Sequence, residues 1–139
     1  DGRRVALRVE MILLDTCALI WLASDSPALS TGAKDALVKN AGFLFVSSFS
    51  AWEIALKSSK GKLTLKDLSP ADWFARVLSH HHLTEITVNS TIAASSVALP
   101  PLHSDPADRV LIATAQLHGL ALLTPDPLIH RYPDLRTVW

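Results

Sequence analysis

The chain has 139 residues, 49% hydrophobic and 19% charged, with thirteen basic and thirteen acidic side chains in balance. That composition excludes a disordered chain, and the length suits one domain with its own core. Zero net charge excludes the broad electropositive surface of many nucleic-acid binders, so any grip on nucleic acid must be local, or supplied partly by metal ions or a partner.

Residues 11–14 are a short apolar run closed by Asp15, the pattern of a strand buried on both faces. Arg3, Arg4 and Arg8 ahead of it give a superficial likeness to a signal peptide. Asp15 splits the apolar segment and no small-residue cleavage site follows, so a strand and then a helix is the reading. Met11 suits a natural start, which makes residues 1–10 an N-terminal extension or expression remnant and 11–139 a single domain. Residues 16–23 read as a helix. The one cysteine, Cys17, lies there among Ala18, Leu19 and Ile20 and is expected to be a small buried packing residue. It permits no internal disulfide, which fits a reducing compartment, the cytoplasm.

A polar loop holding Pro27 leads to a helix over 31–40, capped by Ser30 and stopped by Gly42. Residues 43–47 form a second apolar run and a second strand. Ser48 or Ser50 is the candidate cap for a helix over 51–59 that Gly61 ends. Residues 63–68 alternate polar and apolar and suggest a short extended piece. Ser69-Pro70 opens a helix that carries Trp73 and Phe74 to His80, His81 and His82. Neighbouring helical residues point about 100° apart, so the three histidines cannot share one ion; a solvated helix end is the reading.

Residues 83–88 read as a strand, and Asn89 opens a helix closed by Pro100-Pro101. Asp105-Pro106 is a cap followed by proline at the first helical position, for a helix to His118 with Gly119 after its end. Residues 120–123 are another apolar run, 124–127 a turn or helix start, and 137–139 a last edge strand. Helices alternating with short apolar strands predict an α/β domain with a mostly parallel central sheet. No segment is long enough to span a bilayer.

Open parallel sheets bind ligands outside the carboxyl ends of their strands. Asp15 follows the first strand, Asp126 follows the run 120–123, and Glu53 lies in the helix after the second strand. Asp108 lies in the first turn of the helix before the run 120–123. A helix start before a strand is expected at the opposite edge, so Asp108 joins the others only if its helix begins near the carboxyl edge. Each acid also has a local use. Asp15, Asp105 and Asp126 suit caps, Asp108 suits the positive end of a helix, and Glu53 can pair with Lys57 at i+4. Glu53 nevertheless sits among Ala51, Trp52, Ile54, Ala55 and Leu56, where an acid needs a partner. Carboxylates converging in one pocket repel, and a divalent cation removes the penalty. Oxygen ligands without paired cysteines or histidines point to Mg²⁺ or Mn²⁺, the ions of phosphodiester hydrolysis.

Four segments in order carry a family resemblance: Leu13-Leu14-Asp15-Thr16; Ser47 to Ala55 with Trp52-Glu53-Ile54; Asp105-Pro106-Ala107-Asp108-Arg109 with Ile112-Ala113-Thr114-Ala115; and Leu123-Thr124-Pro125-Asp126. Over residues 11–139 the chain resembles PIN-domain proteins, most of all the VapC toxins of type II toxin–antitoxin pairs. The resemblance implies a three-layer α/β/α fold with a short parallel sheet and a metal-dependent endoribonuclease acting on RNA, often tRNA or rRNA. It also implies a cognate antitoxin whose C-terminal segment covers the active site, and a homodimer. Carried over, Asp15, Glu53, Asp108 and Asp126 are the four metal-holding acids. Asp105 assists or merely caps, Thr16 and Thr124 support the acids, and Arg109 matches a basic residue of the subgroup. The alternatives are a structure-specific DNA nuclease and a non-catalytic partner-binding module.

His103 beside Asp105 reads as a surface residue. Trp21, Trp52 and Trp73 read as core or interface rather than base-stacking platforms. Lys57, Lys60 and Lys62 read as a solvated helix end, with RNA backbone as the alternative.

Overall fold

A computed structural model describes residues 9–139. The expectation for residues 1–8 lies outside the described residues. Glu10 is tied in, its N–H donating to Asn40 Oδ1 at 2.6 Å and its carboxylate meeting Arg136 at 2.6 Å.

The described residues form five strands and six α-helices. They run β1 Ile12–Leu14, α1 Thr16–Ala23, α2 Thr31–Lys39, β2 Leu44–Ser47, α3 Ser48–Ser59 and α4 Pro70–His81. β3 Thr84–Ile86, α5 Ser90–Ala98, α6 Pro106–His118, β4 Ala121–Leu123 and β5 Thr137–Val138 complete the order. The strands pair in the order β3-β2-β1-β4-β5, all parallel. The outer positions fall to β3 and β5, and the wholly apolar β1 and β4 are buried at every residue.

Side chains alternate across the sheet with period two and so build two cores. Ile12 and Leu14 of β1 join Ala121 and Leu123 of β4 against Leu19, Leu37, Ile54 and Phe74 from α1 to α4. Leu13 and Leu122 point the other way, onto Leu111, Ile112 and Ala115 of α6. Helices on both faces of a parallel sheet are the expected three layers.

Each of the six helices starts with a side chain that accepts a backbone N–H, from Asp15, Ser30, Ser47, Ser69, Asn89 and Asp105. Each such cap contributes about 1 kcal/mol. Gly119 ends α6 at φ +66°, a left-handed conformation in which its missing Cβ avoids strain.

Several local expectations need correction. Ser47 caps α3, not Ser48 or Ser50, so that helix starts at the sheet edge and Ser50 is buried inside its first turn. Residues 63–68 form no strand; a turn at Lys66 and Asp67, both at positive φ, interrupts the stretch. A 3₁₀ turn at Ile129–Arg131 follows Asp126. Cys17 is exposed instead of buried, because Thr16, Ala18 and Leu19 take the inward side of α1. Among the described residues no helix is long and apolar enough to cross a membrane.

Candidate active site

The sheet sets the site. β1 ends at Leu14, so Asp15 emerges at the carboxyl edge, where its carboxylate accepts the Ala18 N–H at 2.7 Å and caps α1. β2 passes straight into α3, whose second turn brings Glu53 over the same edge. β4 ends at Leu123, and the next turn brings Asp126, with its Oδ1 accepting the Leu128 N–H at 2.9 Å. Asp108 joins them, contrary to the expected opposite edge. A connecting helix runs antiparallel to the strands it joins, so its first turn lies at the carboxyl end and its last turn returns the chain to the start of the next strand.

Two hydrogen-bonded sets hold three of these acids. In one, Thr16 Oγ1 donates to Glu53 Oε1 at 2.5 Å. The Thr16 hydrogen being used, the fully buried Ser50 hydroxyl donates to Thr16 at 2.9 Å. Ser50 and Glu53 are three residues apart, on one face of α3. In the other set, His103 Nδ1 accepts the Asp105 N–H at 3.0 Å. An accepting ring nitrogen carries no proton, so Nε2 is the donor. It lies 2.8 Å from Asp126 Oδ2 and 3.1 Å from Asp108 Oδ2. The surface reading of His103 is therefore wrong: the ring is 9% exposed and links α6 to the turn after β4.

The charges interact across the whole edge. Burial raises the Asp15 carboxyl, against bonds from Thr124 and Ala18, and the charge of Asp126 raises it further. Burial raises Glu53, opposed by the Thr16 bond and by Lys57, and reinforced by Asp105 and Asp15. Asp108 is pushed up to about 7, first by burial and then by the charge of Asp105. Asp126 goes the other way: burial acts to raise it, but the His103 bond and the Leu128 N–H outweigh that and lower it. Cys17, although exposed, has a thiol pushed up to about 11 by partial burial and then by the charge of Asp15, which keeps it from acting as a nucleophile.

Ligand atoms of His103, Asp108 and Asp126 lie within 4.8 Å of one another, a spacing that one divalent cation can bridge. Nε2 presents a hydrogen to this space, so in this arrangement the carboxylates are the available donors and His103 orients them. Hard carboxylate oxygens, three of the four acids being pushed up by burial and then by neighbouring acids, fit a hard divalent cation.

The remaining expected site residues divide. Thr124 sits behind the acids, with its hydroxyl bonded to Asp15 and accepting the Asp126 N–H at 3.1 Å. Asp105 caps α6 by accepting the Ala107 N–H at 3.0 Å, and its charge reaches Asp108 and Glu53. Arg109 turns away from the acids. Its guanidinium donates to the carbonyls of Ser96, Val97, Leu99, Pro100 and His103 at 2.8–3.2 Å. It thereby satisfies the carbonyls left open at the end of α5, where Pro100 and Pro101 offer no N–H. Trp21 and Trp73 pack on the core as expected, but Trp52 is 55% exposed beside the acids. His80, His81 and His82 form the end of α4, and burial followed by its two neighbours lowers His81. His103 and Ser50 were the residues missed. The first signal was a histidine two residues before a capping Asp, and the second a serine three residues before Glu53.

A five-stranded parallel sheet in this order, with acids from four segments at its carboxyl edge, defines an α/β domain with an acidic cluster that could hold a cation. The PIN domain family model matches residues 12–135, and the chain belongs to that family. It is 34% identical over 131 residues to Ribonuclease VapC22 of Mycobacterium tuberculosis, across 92% of this chain and 98% of that protein. A toxin–antitoxin complex from Klebsiella pneumoniae superposes with a TM-score of 0.63 at 25% identity, covering 89% of this chain and 94% of that one. The fold also matches VapBC2 of Rickettsia felis bound to a DNA fragment from their promoter, with a TM-score of 0.68 at 18% identity over 91% and 96% of the two chains.

Proposed function

We propose that this chain is a metal-dependent endoribonuclease, the toxin of a type II toxin–antitoxin pair, which hydrolyses RNA phosphodiester bonds. Asp15, Glu53, Asp108 and Asp126 hold the cation, Mg²⁺ or Mn²⁺, and Asp105 serves as a helix cap whose charge adds to the field. The observation that carries the reading is geometric: acids from four segments meet at one sheet edge, with ligand atoms of Asp108 and Asp126 within 4.8 Å of each other. Burial, reinforced by neighbouring acids, raises Asp15, Glu53 and Asp108, a penalty that a bound cation relieves. When bound, the cation makes water nucleophilic near neutral pH and screens the charge growing on the phosphate. The chain's own part is positional. Thr16 fixes Glu53, Thr124 fixes Asp15, and His103 fixes Asp108 and Asp126, so that the carboxylates keep one geometry through the reaction.

Similarity to a protein named a ribonuclease supports RNA as the substrate, tRNA or rRNA being the expected class. Similarity to a solved toxin–antitoxin complex supports a cognate antitoxin. A homodimer and a cytoplasmic location complete the proposal, the latter consistent with one free thiol and no disulfide.

The test is cleavage of total RNA by purified protein in Mg²⁺, Mn²⁺ or EDTA, beside Asp15→Asn. Asparagine caps a helix as well as aspartate does, so the variant keeps the fold. Discrete fragments that require both the metal and Asp15 support the reading. A folded Asp15→Asn protein with undiminished metal-dependent cleavage overturns it.

A further inference from the structure

Beside the acids lies a cavity of about 280 Å³ that the roles above leave unused. Trp52, Lys57, Lys60 and Lys62 line it, and Glu53 and Asp105 form its border with the acid centre. We propose that this cavity is a binding subsite for single-stranded RNA next to the scissile phosphate, with the lysines on the backbone and a base stacked on Trp52. The proposal rests on the ribonuclease reading and extends it to how substrate is held.

Three observations point the same way. First, Trp52 is a supported platform. Its indole is 55% exposed, yet it sits 5.1 Å from the Phe49 ring at an interplanar angle of 31°. Phe49 in turn packs on the buried cluster of Ile92, Val110 and Ala113. A large aromatic fixed on one side and open on the other suits a base of any identity.

Second, three cations collect where α3 ends, in a chain whose charges cancel overall. Lys57 lies near enough to Glu53 to lower its carboxyl. A neutral chain must concentrate positive charge where a polyanion enters, and this cavity is such a place. Third, the cavity opens directly onto Glu53 and Asp105. A strand with one phosphate at the acids therefore reaches Trp52 and the lysines with its neighbouring nucleotide. Lysines set against the edge of an acid cluster favour a polyanion over an acidic or apolar protein segment, because only the polyanion also belongs at the cation the acids hold.

The test uses Trp52→Ala and the double variant Lys60→Ala/Lys62→Ala. These side chains line an open cavity at the protein surface, so their removal leaves the core packing in place. Fluorescence anisotropy measures binding of a labelled single-stranded RNA in the Asp15→Asn background, and steady-state cleavage measures KM and kcat with Asp15 intact. Trp52→Ala should weaken binding about tenfold. The lysine pair should reduce the slope of log affinity against log salt by about 0.7 for each phosphate no longer neutralised. Both effects should fall on KM more than on kcat and grow with strand length, while Lys34→Ala on the far helix α2 changes nothing. Wild-type affinity and salt slope in both variants overturn the subsite, as does an effect confined to self-association in sedimentation. Cleavage that persists unchanged in the variants removes the subsite alone; pocket-dependent binding without any cleavage by the parent protein removes the ribonuclease reading alone.

Discussion

Nε2 of His103 lies 2.8 Å from Oδ2 of Asp126, across 23 residues of chain, while Nδ1 of the same ring accepts the Asp105 N–H. One imidazole thus joins the cap of α6 to the turn after β4, with its remaining proton aimed between two carboxylates. Partners that orient ligands in this way usually affect metal affinity by about 10–100-fold. His103→Ala should raise the Mg²⁺ concentration for half-maximal cleavage by that factor, with a smaller effect at saturating metal. An unchanged metal requirement in isothermal titration would show that the carboxylates hold their places without the ring.

Asp108 fixes a pH dependence. Its carboxyl is pushed up to about 7 from 3.8, so the native protein keeps a proton that the unfolded chain releases near pH 4. Between those values the unfolded state binds fewer protons, and stability falls as pH rises. Asp15 and Glu53 are raised too and act with the same sign; Asp126, lowered, acts in the opposite sense but only below this window, as pH falls through the acid range. In EDTA, Tm should therefore decline from about pH 5 to about pH 7.5. A divalent cation binds the ionised acids, so its gain in Tm should be larger at the higher pH. Asp108→Asn should raise the metal-free Tm at about pH 7.5 and shrink the metal-induced gain. A metal-induced gain at the lower pH equal to that at the higher would contradict this account.

Thr16 can be tested through Glu53. Thr16→Val removes the hydroxyl that holds Glu53 Oε1 and leaves the buried Ser50 hydroxyl short of a partner, at a cost of about 1–3 kcal/mol. Without that bond the Glu53 carboxyl rises further, so the pH profile of cleavage should move to higher pH, with the rate falling by about 10–100-fold. Thr16→Ser keeps the hydroxyl and should restore both. A valine variant with the parent pH profile would mean that Glu53 is held by other groups.

Arg109 is expected to matter for folding more than for chemistry. Removing its fork leaves carbonyls at the end of α5 without donors, so Arg109→Ala should cost about 2–3 kcal/mol in denaturant unfolding. Arg109→Lys should rescue little, because an ammonium cannot reach five separate carbonyls at once. Metal affinity measured on the folded fraction should change less than in His103→Ala. The reverse ranking would assign Arg109 to the metal site.

Much of this arrangement could be read along the chain. The apolar runs ending at Leu14 and Leu123 are strands because every residue in them is buried, and such strands need helices on both faces. Ser30, Ser69, Asn89 and Asp105 announced helix starts, since a short polar side chain ahead of a helical pattern has one local use. Asp15 and Asp126 follow their strands directly, so the parallel sheet alone brings them to one edge. Asp108 required one further step, the reversal of direction between a strand and the helix that packs on it.

What local spacing could not give was each side chain's distant partner. Cys17 read as inward and Trp52 as core or interface from their apolar neighbours, but a helix among apolar residues still has an outer side, and only packing decides which positions take it. His103 has no helical or strand period to follow. Its burial depends on Tyr132, whose hydroxyl accepts the His103 N–H at 2.9 Å, and on the acid 23 residues away. Thr16 meets Glu53 across 37 residues for the same reason. The sequence by itself determined the layers, most of the caps and the candidate acids at the strand ends, because those follow from short-range periodicity and backbone chemistry. The tertiary structure alone decided which groups hold the acids and which face is left open beside them, because those pairings exist only after distant elements have packed.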